Sequence, residues 1–208
     1  MMHLTKEESN IFATPISQYN LSTIPVENLL SAIETFREYD YGLVDNGISS
    51  YPADGKFTTF LLNEVPEIKE VIQQCVNDYT DKLGLNSVRV GTSWFNKTSK
   101  GGKLELHRHD GSIVSGGFYP SLKGEVSPLL FKSPIQPYKM LEWFKEGTEY
   151  SNIFHAVQPY QGLLVLFPSW LCHLVFPNPH EEERKSISFN IILRGKYGTD
   201  RSLQQVLL

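Results

Sequence analysis

Near residue 87 the spacing of apolar residues changes from helical to alternating, and this switch limits what the chain can fold into. Before it, Leu29, Leu30, Ile33 and Phe36 recur at three- and four-residue intervals behind Pro25, a residue suited to a first helical turn. Ile68, Val71, Ile72, Cys75, Val76, Tyr79 and Leu83 make a longer stripe of the same kind, with Gly84 where a C-terminal cap belongs. Each helix is apolar on one side only, so each needs a larger surface to cover. Between them, residues 48–55 read as turns with a short extended piece. After the switch, residues 88–95, 103–109 and 115–119 alternate, 162–167 form an apolar run of strand length, and 186–193 close the series. Short strands punctuated by Gly, Pro and Asn predict a β-sandwich or barrel, here with two helices against one face.

The expected fold class is therefore mainly β with N-terminal helices (α+β). A single domain over residues 1–208 is the simplest division: helical support to about residue 85, a β core over 86–195 and a tail over 196–208. Residues 133–150 fit neither period and read as an insertion that could cover a site. The net charge of −4 and the lack of a basic block offer no footprint for nucleic acid or an anionic membrane. Two cysteines, Cys75 and Cys172, cannot build a disulfide framework, which points to a reducing compartment. Residues 1–8 contain no apolar signal core, and no apolar stretch reaches the ~20 residues of a membrane span. These features lead us to expect a soluble cytoplasmic protein. The sequence carries no signal for oligomeric state.

His107 and His109 form a His-x-His pair at the end of an alternating run, just before the turn formers Asp110, Gly111 and Ser112. On a strand, residues i and i+2 share a face, so the two imidazoles would project together. Six histidines in 208 residues give about 0.2 such pairs by chance, so the spacing needs support from elsewhere. His173 supplies it, since it follows an apolar strand and would also lie at a barrel edge. Three imidazoles on one side of a divalent ion leave other positions open, as in a catalytic site; a structural zinc would want a fourth ligand. His155 reads as a loop or core histidine, His180 as solvated and His3 as part of the terminus.

Period two also divides the last long run. Arg184, Ser186, Ser188 and Asn190 share one face, and Lys185, Ile187, Phe189 and Ile191 the other. A polar ladder on a central strand is either a solvated face or a polar barrel interior. In the second case Arg184 offers a planar fork to a carboxylate and Ser186 a donor beside it.

Five blocks now stand in order: Trp94-Phe95-Asn96, His107 to Ser112, Ser115 to Tyr119, Phe167 to His173, and Arg184 to Asn190. They resemble the iron(II)- and 2-oxoglutarate-dependent oxygenases, and more narrowly a bacterial and phage group with a His-x-His…His motif. The resemblance covers roughly residues 94–193. It implies a double-stranded β-helix, a jelly-roll or cupin-like barrel, and an enzyme of the dioxygenase (hydroxylase) type. It implies Fe(II) as cofactor, 2-oxoglutarate as cosubstrate and O₂ as a partner. By position, His107, His109 and His173 become the metal ligands, and Arg184, Ser186 and Tyr119 the grip on the distal carboxylate. The implied reaction hydroxylates a C–H bond of a small molecule or protein side chain and releases succinate and CO₂, in a host cytoplasm if the chain is phage-encoded. The wider superfamily carries Asp or Glu where this chain has His109, so either His109 ligates or Asp110 swings in; a regular strand favours His109. Two other readings are a three-histidine cupin-type enzyme that needs no 2-oxoglutarate and a non-enzymatic jelly-roll module. Trp94, Trp143 and Trp170 could line a substrate pocket or belong to core and loops.

Overall fold

The structure is a computed structural model and describes residues 13–40, 44–51, 60–85, 87–135, 152–198 and 206–207. His3, Trp143 and residues 136–150 of the expected insertion lie outside these. Helix α1 (Glu27–Thr35) buries Leu29 and Ile33. Helix α2 (Pro66–Lys82) opens on a proline, whose missing N–H costs nothing in a first turn, and buries Ile68, Ile72, Val76 and Tyr79. Gly84 adopts the left-handed conformation that ends it (φ 65°), with its N–H on the Asp81 carbonyl. Leu83 falls beyond the last turn and is exposed rather than part of the stripe.

The strands are β1 (Ser17–Asn20), β2 (Val44–Ser49), β3 (Val88–His107), β4 (Val114–Phe118), β5 (Leu129–Lys132), β6 (Phe154–Val157), β7 (Leu163–Pro168), β8 (His173–Val175) and β9 (Arg184–Leu193). Their order is β1-β7-β4-β9-β3-β8-β5-β6, with β2 also paired to β3. Each of these pairings is antiparallel. Strand β3 is long enough to serve two layers: residues 88–98 pair with β9, and its last residues pair with β8. The result is a curled, mainly β half-barrel of the double-stranded β-helix kind, backed by two helices. The stretch expected as a tail contains a small ribbon, β10 (Lys196–Tyr197) on β11 (Val206–Leu207).

Two apolar clusters show how the faces divide. One joins Ile68, Ile72 and Val76 of α2 to Ile187, Phe189 and Ile191 of β9 and to Leu164 and Leu166 of β7. The other lies between the layers and joins Val165 and Phe167 to Phe131 and Val175. Alternate residues of β7 and β9 thus face the helices, and the intervening ones face the barrel interior. Gly116 sits where β4 meets the helix-side core. A Cβ there would lie 2.2 Å from the Phe189 ring and 2.9 Å from Leu166. Gly116→Ala is expected to cost about 1–3 kcal/mol through overpacking, read as a lower denaturation midpoint in urea.

Two irregularities in β3 break the simple alternation expected from sequence. Val90 pairs with Ile191 but Ser93 with Phe189, so one extra residue is accommodated between them. Leu104 pairs with Val175 but His107 with His173, so a second is accommodated there. A one-residue bulge flips every later side chain to the other face. The first puts Val90 and Phe95 in the same helix-side core despite their opposite parity. The second turns His107 to the face that carries Leu104, while Leu106 is left exposed.

Candidate metal centre

His107 stands at the end of β3, directly opposite His173 at the start of β8, because the second bulge brings it there. His109 lies two residues beyond β3 and is tied back by its main-chain N–H to the Ser169 carbonyl, 3.0 Å away. The three imidazoles close on one another. Their ring centroids are 4.2 Å apart for His107 and His173, 5.1 Å for His109 and His173, and 5.2 Å for His107 and His109. One ring nitrogen of each lies within 4.8 Å of the other two. Asp110 turns the other way, with its carboxylate 3.0 Å from Arg108 Nε and its side chain 82% exposed. Of the two sequence alternatives, the geometry therefore brings His109 to the cluster and leaves Asp110 outside it.

The hydrogen bonds behind the rings fix the lone pairs. His107 Nδ1 lies 2.7 Å from the Glu105 carbonyl oxygen, and His173 Nδ1 lies 3.0 Å from that of Leu171. A carbonyl can only accept, so Nδ1 carries the proton in both rings and each Nε2 presents a lone pair. His109 Nε2 lies 3.3 Å from His173 Nε2. Two nitrogens bound at about 2.1 Å to one ion sit about 3.0–3.4 Å apart for octahedral or tetrahedral angles, so this spacing fits a shared divalent cation. Backbone-anchored imidazoles of this sort are the usual outer support of a metal ligand.

Electrostatics favours neutral rings. Burial lowers the His107 pKa. Burial, and then His107 beside it, pull His109 from 6.5 to about 4, against a hydrogen bond that His109 donates to Asn190. His173 is held well below its ordinary value by burial and by both neighbouring histidines. As the pH falls from 6.5 towards 4, the unfolded chain binds protons that the folded site resists. The stability tied to neutral imidazoles is thus present above pH 6.5 and lost on acidification. The metal-free protein is expected to show a falling Tm between about pH 7 and pH 5, and His109→Ala should flatten that fall in scanning calorimetry. A Tm that climbs on acidification would contradict this assignment of neutral rings.

The histidines open onto a cavity of about 220 Å³. Its other end is Arg184, 4% exposed, at the start of β9. Arg184 Nη2 donates to the Tyr119 hydroxyl at 2.7 Å, and Nη1 lies 3.5 Å from Ser186 Oγ. Burial raises the Tyr119 pKa while Arg184 opposes it, which leaves a neutral phenol. The sequence-predicted ladder is in place: Arg184, Ser186, Ser188 and Asn190 all line the cavity. The alternation of β3 places Trp94, Asn96 and Thr98 opposite Ser188, Ser186 and Arg184. Arg184 Nε and Asn96 Oδ1 are buried without hydrogen-bond partners. Such groups cost about 1–3 kcal/mol each, and a guanidinium left short of acceptors fits an anion-binding pocket.

Of the tryptophans that the sequence leaves open between pocket and core or loop, Trp94 lines the cavity. Trp94 stacks on His109 at 5.8 Å and meets Tyr51 edge-on at 5.1 Å, so it belongs to the cavity wall, whereas Trp170 is 52% exposed. Behind His109 runs a chain of hydroxyls: Ser169 to Ser115 at 2.7 Å and Ser115 to Asn190 Oδ1 at 3.0 Å. Only the inward parity of Ser115 and Asn190 could have suggested it. His155 is an exposed residue of β6 rather than a loop or core histidine, and His180 is half-exposed.

Together the fold and the site define a double-stranded β-helix with a three-histidine cluster and a buried arginine lining one cavity. Residues 92–190 match the family described as "Putative 2OG-Fe(II) oxygenase", a stretch that holds all three histidines and Tyr119, Arg184 and Ser186. No curated protein matches the sequence. Among solved structures, a prolyl-4-hydroxylase from Pseudomonas putida is similar at 18% identity and a TM-score of 0.54, covering 88% of this chain and 94% of that one. HygX from Streptomyces hygroscopicus, solved with nickel and 2-oxoglutarate bound, is 12% identical with a TM-score of 0.58, covering 86% and 82%. The viral collagen prolyl hydroxylase of Paramecium Bursaria Chlorella virus-1, a 2-oxoglutarate complex, is 11% identical with a TM-score of 0.51, covering 85% and 94%. At these identities the likeness is one of fold.

Proposed function

We propose that this chain is an Fe(II)- and 2-oxoglutarate-dependent dioxygenase that hydroxylates a C–H bond of a small molecule or protein side chain. The observation that carries the reading is one cavity with three neutral imidazoles at one end and a buried arginine with an unspent donor at the other. In this reading His107, His109 and His173 hold the iron, and Arg184, Ser186 and Tyr119 hold the distal carboxylate of 2-oxoglutarate. When bound, the iron and cosubstrate supply the oxidising chemistry: O₂, 2-oxoglutarate and R–H become succinate, CO₂ and R–OH.

The protein's own share is placement and exclusion. The imidazoles keep their Nε2 lone pairs directed at one point because the Nδ1 protons of His107 and His173 are spent on main-chain carbonyls. Arg184 neutralises the far carboxylate in a wall from which water is largely excluded, where charge-assisted hydrogen bonds are strong. Phe131, Phe167 and Trp94 wall the histidines and keep that end of the cavity apolar. Substrate would enter on the side that Tyr51, Arg108 and Asp110 line. Among the described residues no helix is long and apolar enough to cross a membrane, and Cys75 and Cys172 are free thiols, in keeping with a reducing cytoplasm.

The test is turnover. Protein loaded with Fe(II) in air is expected to convert 2-oxoglutarate to succinate, slowly alone and faster with a substrate from a panel of peptides and metabolites. A three-histidine enzyme that needs no 2-oxoglutarate would bind iron yet release no succinate. A non-enzymatic module would bind no stoichiometric metal.

A further inference from the structure

We propose that Asn96 positions Arg184: with a carboxylate in the cavity, Asn96 Oδ1 accepts the Arg184 Nε–H, and the guanidinium presents its two Nη groups to the ligand as a fork. The proposal rests on the 2-oxoglutarate reading above and assigns a task to a residue that reading leaves idle.

The starting point is a matched pair of unmet groups. Among the buried side-chain nitrogens and oxygens described, two lack a hydrogen-bond partner, and they are complementary: Asn96 Oδ1 is an acceptor and Arg184 Nε is a donor. Both residues lie deep in the same wall, at 5% and 4% exposure, so bulk water does not serve them. Asn96 pairs with Ser186 and Thr98 with Arg184, which makes Asn96 and Arg184 diagonal neighbours across β3 and β9. Diagonal neighbours on one face of a sheet lie within reach of each other when one of them has a long side chain.

The remaining contacts decide what the pair is for. The Asn96 amide N–H already donates to Ser188 Oγ at 3.1 Å, which fixes Oδ1 as the unmet atom. Arg184 spends its outer edge on protein hydroxyls, at 2.7 Å on Tyr119 and a long 3.5 Å on Ser186. A carboxylate carries acceptors only. It can satisfy the guanidinium but never Asn96 Oδ1, so the asparagine still needs a donor from the protein. Arg184 Nε is the one buried side-chain nitrogen described that has no partner at all. Joining the two satisfies both groups and sets the plane of the guanidinium, and bidentate recognition depends on that plane. The rival arrangement is a flipped Asn96 amide that accepts from Ser188 and donates to the ligand directly.

The test uses the full chain loaded with redox-inert Zn(II) and labelled with ¹⁵N. 2-Oxoglutarate is titrated while the Arg184 Nε–Hε resonance, assigned through Arg184→Lys, is followed, and calorimetry gives the affinities. In the wild type that resonance should move downfield and exchange with solvent about ten-fold more slowly once 2-oxoglutarate is bound. In Asn96→Ala and Asn96→Leu the protection should vanish and the 2-oxoglutarate Kd rise by about ten-fold, with Zn(II) affinity kept within about two-fold. An Hε that stays unprotected in the wild-type complex overturns the proposal in favour of the flipped amide. A loss of Zn(II) affinity parallel to that of 2-oxoglutarate in both variants overturns it too, by showing a general structural role. The wild-type titration separates the two levels: 2-oxoglutarate binding with a free Hε removes only the role of Asn96, whereas no 2-oxoglutarate binding removes the oxygenase reading itself.

Discussion

His173→Ala is expected to lower divalent-metal affinity by about a hundred- to a thousand-fold while the barrel stays folded. The size follows from four-ligand structural zinc sites, where about 12 kcal/mol of metal binding amounts to roughly 3 kcal/mol per ligand. The loss should be near the upper end here. His173 is 4% exposed, its Nδ1 is anchored to Leu171, and it faces His107 across β3 and β8, so no described side chain stands ready to replace it. The fold should survive because Phe131, Val165, Phe167 and Val175 keep their apolar contacts with one another, although Phe167 loses its edge contact with the His173 ring. His107→Ala should behave alike. Titration with Co(II), followed by its visible absorption, measures both affinities, and circular dichroism checks the fold.

Arg184→Ala is expected to weaken 2-oxoglutarate binding by two orders of magnitude or more and to leave metal affinity unchanged. Charge-assisted hydrogen bonds contribute about 1.5–3 kcal/mol each, so losing two costs about 3–6 kcal/mol. The variant also strands the Tyr119 hydroxyl, which takes a 2.7 Å bond from Arg184 while 1% exposed. Arg184→Lys should recover only part of the loss, since an ammonium cannot bond Tyr119 and grip a carboxylate as a fork. Calorimetry on the Zn(II)-loaded protein separates the two: a fall in metal affinity would mean that Arg184 supports the histidines instead.

Much of this architecture was legible before the fold was known, because hydrophobic periods report directly on faces. Alternation alone divides β9 into two faces, with Ile187, Phe189 and Ile191 on the helix-side core and Arg184, Ser186 and Ser188 opposite; that the second face lines a cavity rather than solvent is visible only in the fold. Strand β3 was not, since its two inserted residues change parity without any mark in composition. The bulge before His107 matters most. Plain alternation separates His107 from Leu104, and only the extra residue brings it opposite His173. Strands β1, β5, β6 and β8 have four residues or fewer, too short to establish a period, so only the sheet reveals them. The unmet atoms of Asn96 and Arg184 were equally hidden, because a missing partner is a property of packing, not of sequence.

The central claim, that the histidine cluster and the arginine pocket are two ends of one iron and 2-oxoglutarate site, is tested most directly by an anaerobic titration. Fe(II) is added first, then 2-oxoglutarate, with the visible spectrum recorded at each step. The account predicts a metal-to-ligand absorption band that needs both components, disappears in His173→Ala and requires far more 2-oxoglutarate in Arg184→Ala. A wild-type protein that binds Fe(II) but develops no band at saturating 2-oxoglutarate would contradict it.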